Sequence, residues 1–121
     1  MKTKKIVHVE SGRVLLEQAN WCDSYWTKLK GFMFHPELKE NEGLVLVEKR
    51  DSRVATSIHM FFVNFDLGVV WVNDAGEVVD TAVARAWKPN YAPQAPARYV
   101  IEMHPDRLQG INLGDHILFE S

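Results

Sequence analysis

Residues 57–72 read SIHMFFVNFDLGVVWV, the longest apolar run in the chain. A run of this length could form one buried helix. However, β-branched and aromatic side chains dominate it, and Asn64 and Asp66 interrupt it. The stretch therefore predicts two buried strands joined at a polar corner. Alternation along the first strand puts Ile58, Met60 and Phe62 on one face and His59, Phe61 and Val63 on the other. A polar corner between buried strands is a place where a small β domain can hold a site.

On either side of this run the chain reads as further short strands separated by turn chemistry. Lys5–Val9 and Arg13–Ala19 flank Ser11-Gly12 as a hairpin. Asp23 is placed to cap a short helix that runs through Lys30 and stops at Gly31. Gly43–Glu48 reads as a strand, and 49–54 as a charged loop or hairpin tip. Asn73-Asp74-Ala75-Gly76 is a strong turn signal, so 67–84 forms a hairpin. Three of the five prolines, Pro89, Pro93 and Pro96, fall within 87–96. With so few backbone donors, that segment should be an ordered extended loop. Arg98–Met103 is a strand, Pro105 opens a short helical turn ending near Gly110, and His116–Glu120 is the last strand. The expected fold is mainly β: one domain over 1–121, a β sandwich or partly closed barrel of about eight strands with one or two short helices. A regular βαβ alternation is absent, which argues against a doubly wound sheet.

Composition bounds the function. The chain has 121 residues, 46% of them apolar and 11% aromatic, with four Trp and a formal net charge of −2. That supports a packed core and gives no global positive field for nucleic acid. Lys2, Lys4 and Lys5 read as a solvated end. The single cysteine, Cys22, allows neither an internal disulfide nor a Cys-rich zinc site. The start, MKTKKIVHVE, has basic residues but no apolar stretch behind them, and no apolar run reaches membrane-span length. A cytoplasmic, monomeric protein acting on neither membrane nor nucleic acid is expected. The five histidines show no metal-binding spacing, and no phosphate-loop, nucleophile-elbow or dinucleotide motif occurs, so neither metal nor cofactor is expected.

The order of these signals resembles the bacterial and archaeal domain family of unknown function 192. Lys30-Gly31-Phe32-Met33 stands where that family has R-G-L-M, and Glu42-Gly43-Leu44-Val45-Leu46 where it has a G-M-L-F segment. Ile58-His59-Met60-Phe61-Phe62 with Phe65-Asp66-Leu67 follows. Then come Gly76-Glu77-Val78-Val79, Tyr99-Val100-Ile101-Glu102 and Gly110-Ile111-Asn112-Leu113-Gly114-Asp115, covering about residues 27–119 in order. The resemblance implies a mainly β, sandwich-like domain and no settled activity. The chain departs from the family's F-W-M-K-N-T sequence at 58–62, so no role for that Lys or Asn carries over. Many members carry export signals, which the start of this sequence does not resemble.

Candidate site residues gather around the central run. His59 is either a hydrogen-bonded rim histidine or a site residue paired with Asp66 or Glu102. Asn64 and Asp66 form the polar corner, where a carboxylate either caps a turn or faces a cleft. Glu102 ends an apolar strand, with Arg85 or Arg98 as its expected ion-pair partner. Arg85, Trp87, Lys88 and Tyr91 suit a sugar ring or an anionic ligand, or else a loop folded over the core with Trp87 as its plug. Cys22 reads as a small buried hydrophobe. Without a catalytic motif, the sequence points to a binding or accessory domain whose cleft lies between the His59/Asp66 corner and the Arg85–Tyr91 loop. Its partner would be an unknown small molecule or protein. The alternatives are a small hydrolase or metal-dependent enzyme using His59 with Asp66 or Glu102, and a protein-interaction module pairing through a sheet edge.

Overall fold

The computed structural model describes residues 2–121. Seven strands run among the described residues: β1 (Thr3–His8), β2 (Arg13–Cys22), β3 (Gly43–Ser52), β4 (Leu67–Val72), β5 (Val78–Ala84), β6 (Ala97–Met103) and β7 (Ile117–Glu120). One short helix, α1 (Tyr25–Lys30), and a 3-10 turn (Pro105–Leu108) complete the elements. The strands form one sheet in the order β5-β4-β6-β3-β2-β1-β7. Pairing is antiparallel throughout except between β2 and β3, where Asn20, Trp21 and Cys22 run parallel to Leu44, Val45 and Leu46.

The sheet curls until its two edge strands touch at one end. Glu77 bridges His116, and the N–H groups of Val78, Gly114 and Ile117 donate to the carbonyls of Asp115, Val78 and Gly76. This is the partly closed barrel expected from the sequence, with seven strands rather than eight. The same end is tied by two histidine–carboxylate pairs. His8 Nε2 lies 2.7 Å from Asp115 Oδ2, and His116 Nδ1 lies 2.6 Å from Glu10 Oε2. His116 holds the Glu10 carboxyl down to about 2, and Glu10 in turn raises His116. The Asn112 N–H, then His8, lowers Asp115.

Strand alternation sorts the buried side chains into two clusters. One draws on all seven strands, with Ile6, Leu16, Val45, Val70, Val78, Ile101 and Ile117 among its members, as the inside of a curled sheet requires. The other lies on the opposite face of the sheet. Leu44, Leu67, Val69, Trp71 and Val100 form its floor, and Phe32, Ile58, Met60 and Val63 cover it from outside the strands.

The covering comes from segments that the sequence reads only in part. Residues 57–66 are not a strand. Their only ladder contact among the described residues is an isolated bridge between Ile58 and Tyr91. The segment is an irregular strap in which Ile58, Met60 and Val63 point into the cluster while His59, Phe61 and Phe62 face outward. It looks strand-like in sequence because apolar composition reports burial, and a strap seated on a sheet is as buried as a strand. β3 also continues through 49–52, where a loop was expected, and pairs Ser52 with Ala97 beyond an irregularity in register. The cap of α1 is Ser24 rather than Asp23. Ser24 Oγ accepts from the Thr27 N–H while Thr27 Oγ1 accepts from the Ser24 N–H, a reciprocal box that needs hydroxyls three residues apart.

Gly43 opens β3 where nothing larger fits. A Cβ there would run into the buried Leu16 side chain and stand 3.0 Å from the Glu102 carbonyl oxygen. Gly43→Ala should cost about 1–3 kcal/mol, the usual range for overpacking a core. Urea unfolding of the variant measures it, and a loss below about 0.5 kcal/mol would mean that Leu16 repacks freely.

Candidate functional site

On the outer face of the sheet, α1 and the strap leave a cavity of about 370 Å³ between themselves and the strands. Leu46 and Glu48 of β3, Leu67 of β4, and Val100 and Glu102 of β6 supply its floor. Phe32, Met33, Ile58, Met60 and Val63 supply apolar walls, and Tyr25, Lys28, Lys30 and His59 also line it. The volume lies in the range of small-molecule clefts.

Glu102 is the feature that ordinary core packing does not explain. It sits on β6, between Val69 of β4 and Leu44 of β3, in the middle of the sheet. Alternation puts it on the same face as Val100, so its carboxyl points into the cavity rather than into the barrel. Only 5% of the residue is exposed. Burial pushes its carboxyl up to about 7, and among the described residues no hydrogen bond or ion pair opposes the shift. A buried carboxylate normally has a partner, because removing it from water costs several kcal/mol. Both arginines expected to pair with it are engaged elsewhere. Arg85 Nη1 donates to Asp66 Oδ2 at 2.8 Å, and Arg98 donates to Asp74 Oδ1 at 2.7 Å and to the Glu48 carbonyl at 2.8 Å. Lys28 pairs with Glu48 at 2.8 Å near the cavity. Gly31, the positive-φ stop of α1, lies over the carboxyl: a Cβ there would be 3.7 Å from Glu102 Oε1.

The other sequence candidates divide sharply. His59 lines the cavity, but it is exposed, and its Nδ1 accepts the Phe61 N–H at 3.2 Å. Asn64, Asp66, Arg85, Trp87, Lys88 and Tyr91 are outside the cavity lining. Instead they fasten the strap to the proline loop. Asp66 Oδ1 accepts the Ala86 N–H, which lowers its pKa together with the Arg85 bond. The Tyr91 hydroxyl accepts the Arg85 N–H, and the Met60 N–H and carbonyl bond the Lys88 carbonyl and the Trp87 N–H. Asn64 links the His35 carbonyl to Trp87 Nε1. Thus the His59/Asp66 corner and the Arg85–Tyr91 loop do meet, but their contact is a zip rather than a cleft. Trp87 is not a plug: it is 50% exposed and packs edge-on against Phe62, 5.2 Å between ring centroids. Phe34, Phe62 and Trp87 all hold positive φ, a strained backbone for aromatic residues that the Phe34–Phe62 and Trp87–Met60 main-chain bonds enforce.

Cys22 is 3% exposed, and burial followed by the Glu102 charge pushes its thiol up to about 11, which disfavours the thiolate a nucleophile needs. The fold also gathers what no sequence spacing announces. His8, Glu10 and Asp115 bring one ligand-type atom each within 4.8 Å of one another. Those atoms are already engaged in the hydrogen bonds that tie the barrel end, including the His116 and Asn112 N–H groups on Glu10 and Asp115.

No helix among the described residues is long and apolar enough to cross a membrane. Among solved structures, the chain is similar to a protein of unknown function from Novosphingobium aromaticivorans, with a TM-score of 0.77 and 20% identity over 96% of this chain and 83% of that one. It is also similar to a Sinorhizobium meliloti protein, with a TM-score of 0.79 and 14% identity over 97% of this chain and 92% of that one. Likeness at this level of identity concerns the fold alone. In sequence, it is 35% identical over 97 residues to a UPF0127 protein of Thermococcus gammatolerans, covering 80% of this chain and 61% of the relative. It is 30% identical over 117 residues to a UPF0127 protein of Thermococcus sibiricus, covering 95% of this chain and 74% of the relative. The chain therefore spans about three fifths of the first relative's length. Residues 6–119 match the model of DUF192, described as "Uncharacterized ACR, COG1430", and the chain belongs to that family.

Proposed function

We propose that this domain is a small-molecule-binding module whose site is the cavity between the sheet and the strap. One observation carries the reading: Glu102, a buried carboxyl with no hydrogen-bond or ion-pair partner among the described residues, faces a largely apolar cavity of ligand size. A protein that needed only stability would place an apolar side chain there, as it does at Val100 two residues earlier. Binding is favoured over nucleophilic catalysis because the candidate nucleophiles are engaged or protonated. Thr56 Oγ1 and Ser57 Oγ, both in the lining, donate to the carbonyls of Ser52 and Arg53, and the Cys22 thiol stays protonated.

The test uses benzyl alcohol as a neutral probe, followed through the amide NMR spectrum. Shifts should cluster at residues 28–33, 56–60 and 100–102. Leu46→Trp, which puts a large ring on the cavity floor, should abolish them while keeping a dispersed spectrum. The reading fails if neither benzyl alcohol nor its amine counterpart, benzylamine, produces shifts up to the probe's solubility limit, or if the shifts are unchanged in the variant.

A further inference from the structure

We propose that the occupant of this cavity is an organic cation, a protonated amine carried on an apolar body, with its ammonium seated on Glu102. The proposal rests on the binding reading above and goes further by naming the ligand chemistry. It follows from the charges that surround the cavity. Tyr25, Lys28 and Lys30 face it from α1, Glu48 from β3 and His59 from the strap, and the Cys22 thiol of β2, outside the lining, feels the Glu102 charge. Lys28 and Glu48 neutralise each other at 2.8 Å. Lys30, exposed at the end of α1, also lies in the lining but makes no salt bridge to Glu102, so among the described residues the carboxyl has no paired cation. An anionic ligand seated on the apolar floor would meet the Glu102 carboxylate directly, with Lys28 already paired to Glu48 and Lys30 exposed on α1. A divalent metal ion demands several oxygen or nitrogen ligands, and among the described residues Glu102 belongs to no group of three His, Cys, Asp or Glu ligand atoms close enough to share one. A neutral polar ligand leaves an ionised carboxylate only partly satisfied. A single ammonium with an apolar body matches both the lone carboxyl and the apolar walls, and the low-polarity setting strengthens that pairing.

Linkage gives this proposal a second signature. Pairing requires the ionised carboxylate, and Glu102 holds its proton up to about 7. Cation affinity should therefore rise towards pH 8 and fall about tenfold per pH unit once the pH drops below that value. His59 lies in the same lining, so His59→Gln serves as the control that removes its contribution to the profile.

The experiment compares three probes with one ring and different charge: benzylamine, benzyl alcohol and benzoate. Each is titrated into the whole chain at pH 8 and at pH 5.5, with amide NMR as the readout. Benzylammonium should bind at least tenfold more tightly than benzyl alcohol at pH 8 and lose that advantage at pH 5.5, with benzoate weakest. Glu102→Gln should keep benzyl alcohol binding and remove the preference for the amine. The cation proposal is overturned if benzyl alcohol binds as tightly as benzylamine to the parent, or if the preference survives in a dispersed, folded Glu102→Gln protein. If neither amine nor alcohol binds, the binding reading itself falls with it.

Discussion

Glu102→Gln should change the pH profile of stability by about 3 kcal/mol. The carboxyl titrates at 4.5 when freely exposed and at about 7 in the folded protein, a shift worth about 3 kcal/mol at roughly 1.36 kcal/mol per unit. The sign follows from proton counting. Between these two values the folded chain keeps a proton that the unfolded chain releases, so stability falls as pH rises from about 4.5 to about 7 and is level above that. Glutamine has no such titration. It brings its own penalty, an amide buried without a partner, at every pH, and so displaces the curve without tilting it. Relative to the parent, the variant should therefore gain about 3 kcal/mol between pH 4.5 and pH 8. Urea unfolding of both proteins at the two pH values measures this difference, and Glu10, Asp66, Asp115 and His116 cancel because both proteins carry them. Parallel profiles would mean that Glu102 is solvated or paired in solution, which would remove the foundation of the proposed site.

Trp71 should show the largest single loss. It lies next to the end of β4, 1% exposed, and its Nε1 donates to the Thr56 carbonyl at 2.7 Å. The side chain therefore does two jobs: its rings fill the outer cluster, and its N–H pins the start of the strap to the sheet. Trp71→Ala should cost about 3–5 kcal/mol, a large part of the stability of an ordinary domain. Trp71→Phe keeps most of the apolar body but leaves the buried Thr56 carbonyl unpaired, for about 1–3 kcal/mol. The Phe variant should also lose amide-exchange protection first along 56–63, because that strap has few other main-chain bonds to the sheet. Equal protection in the parent and the Phe variant would assign the strap's order to the Tyr91 and Lys88 bonds alone.

These two residues differ in how far the sequence reveals them. Trp71 belongs to a hairpin that is legible residue by residue. Val-Val-Trp-Val is β-rich, and Asn73-Asp74-Ala75-Gly76 closes it as turn chemistry requires, with Asn73 Oδ1 accepting the Glu77 N–H and Gly76 at φ +85°. Glu102 is visible as a carboxylate at the end of an apolar strand, and alternation gives its face. Its expected partners, Arg85 and Arg98, could not be tested in sequence, since each finds its acceptor 19 or more residues away, in Asp66 and Asp74. Residues 57–66 mislead for a related reason. Their apolar content reports that they are covered, while their conformation is dictated by the loop they bond to, Trp87–Tyr91, and by the sheet beneath them.

What the sequence determined by itself is the set of local decisions: the hairpin over 67–84 and its turn, the glycine stop at Gly31, and which residues are apolar enough to be buried. Those depend on side chains a few positions apart, and periodicity records them. Only the tertiary structure decided that the sheet curls until β5 meets β7, that Asp66 and Arg85 serve the strap and not a cleft, and that Glu102 faces a cavity with no partner among the described residues. Each of these outcomes is a competition among distant groups for the same few hydrogen bonds and charges. A linear pattern holds the competitors, but only their positions in space settle which of them pair.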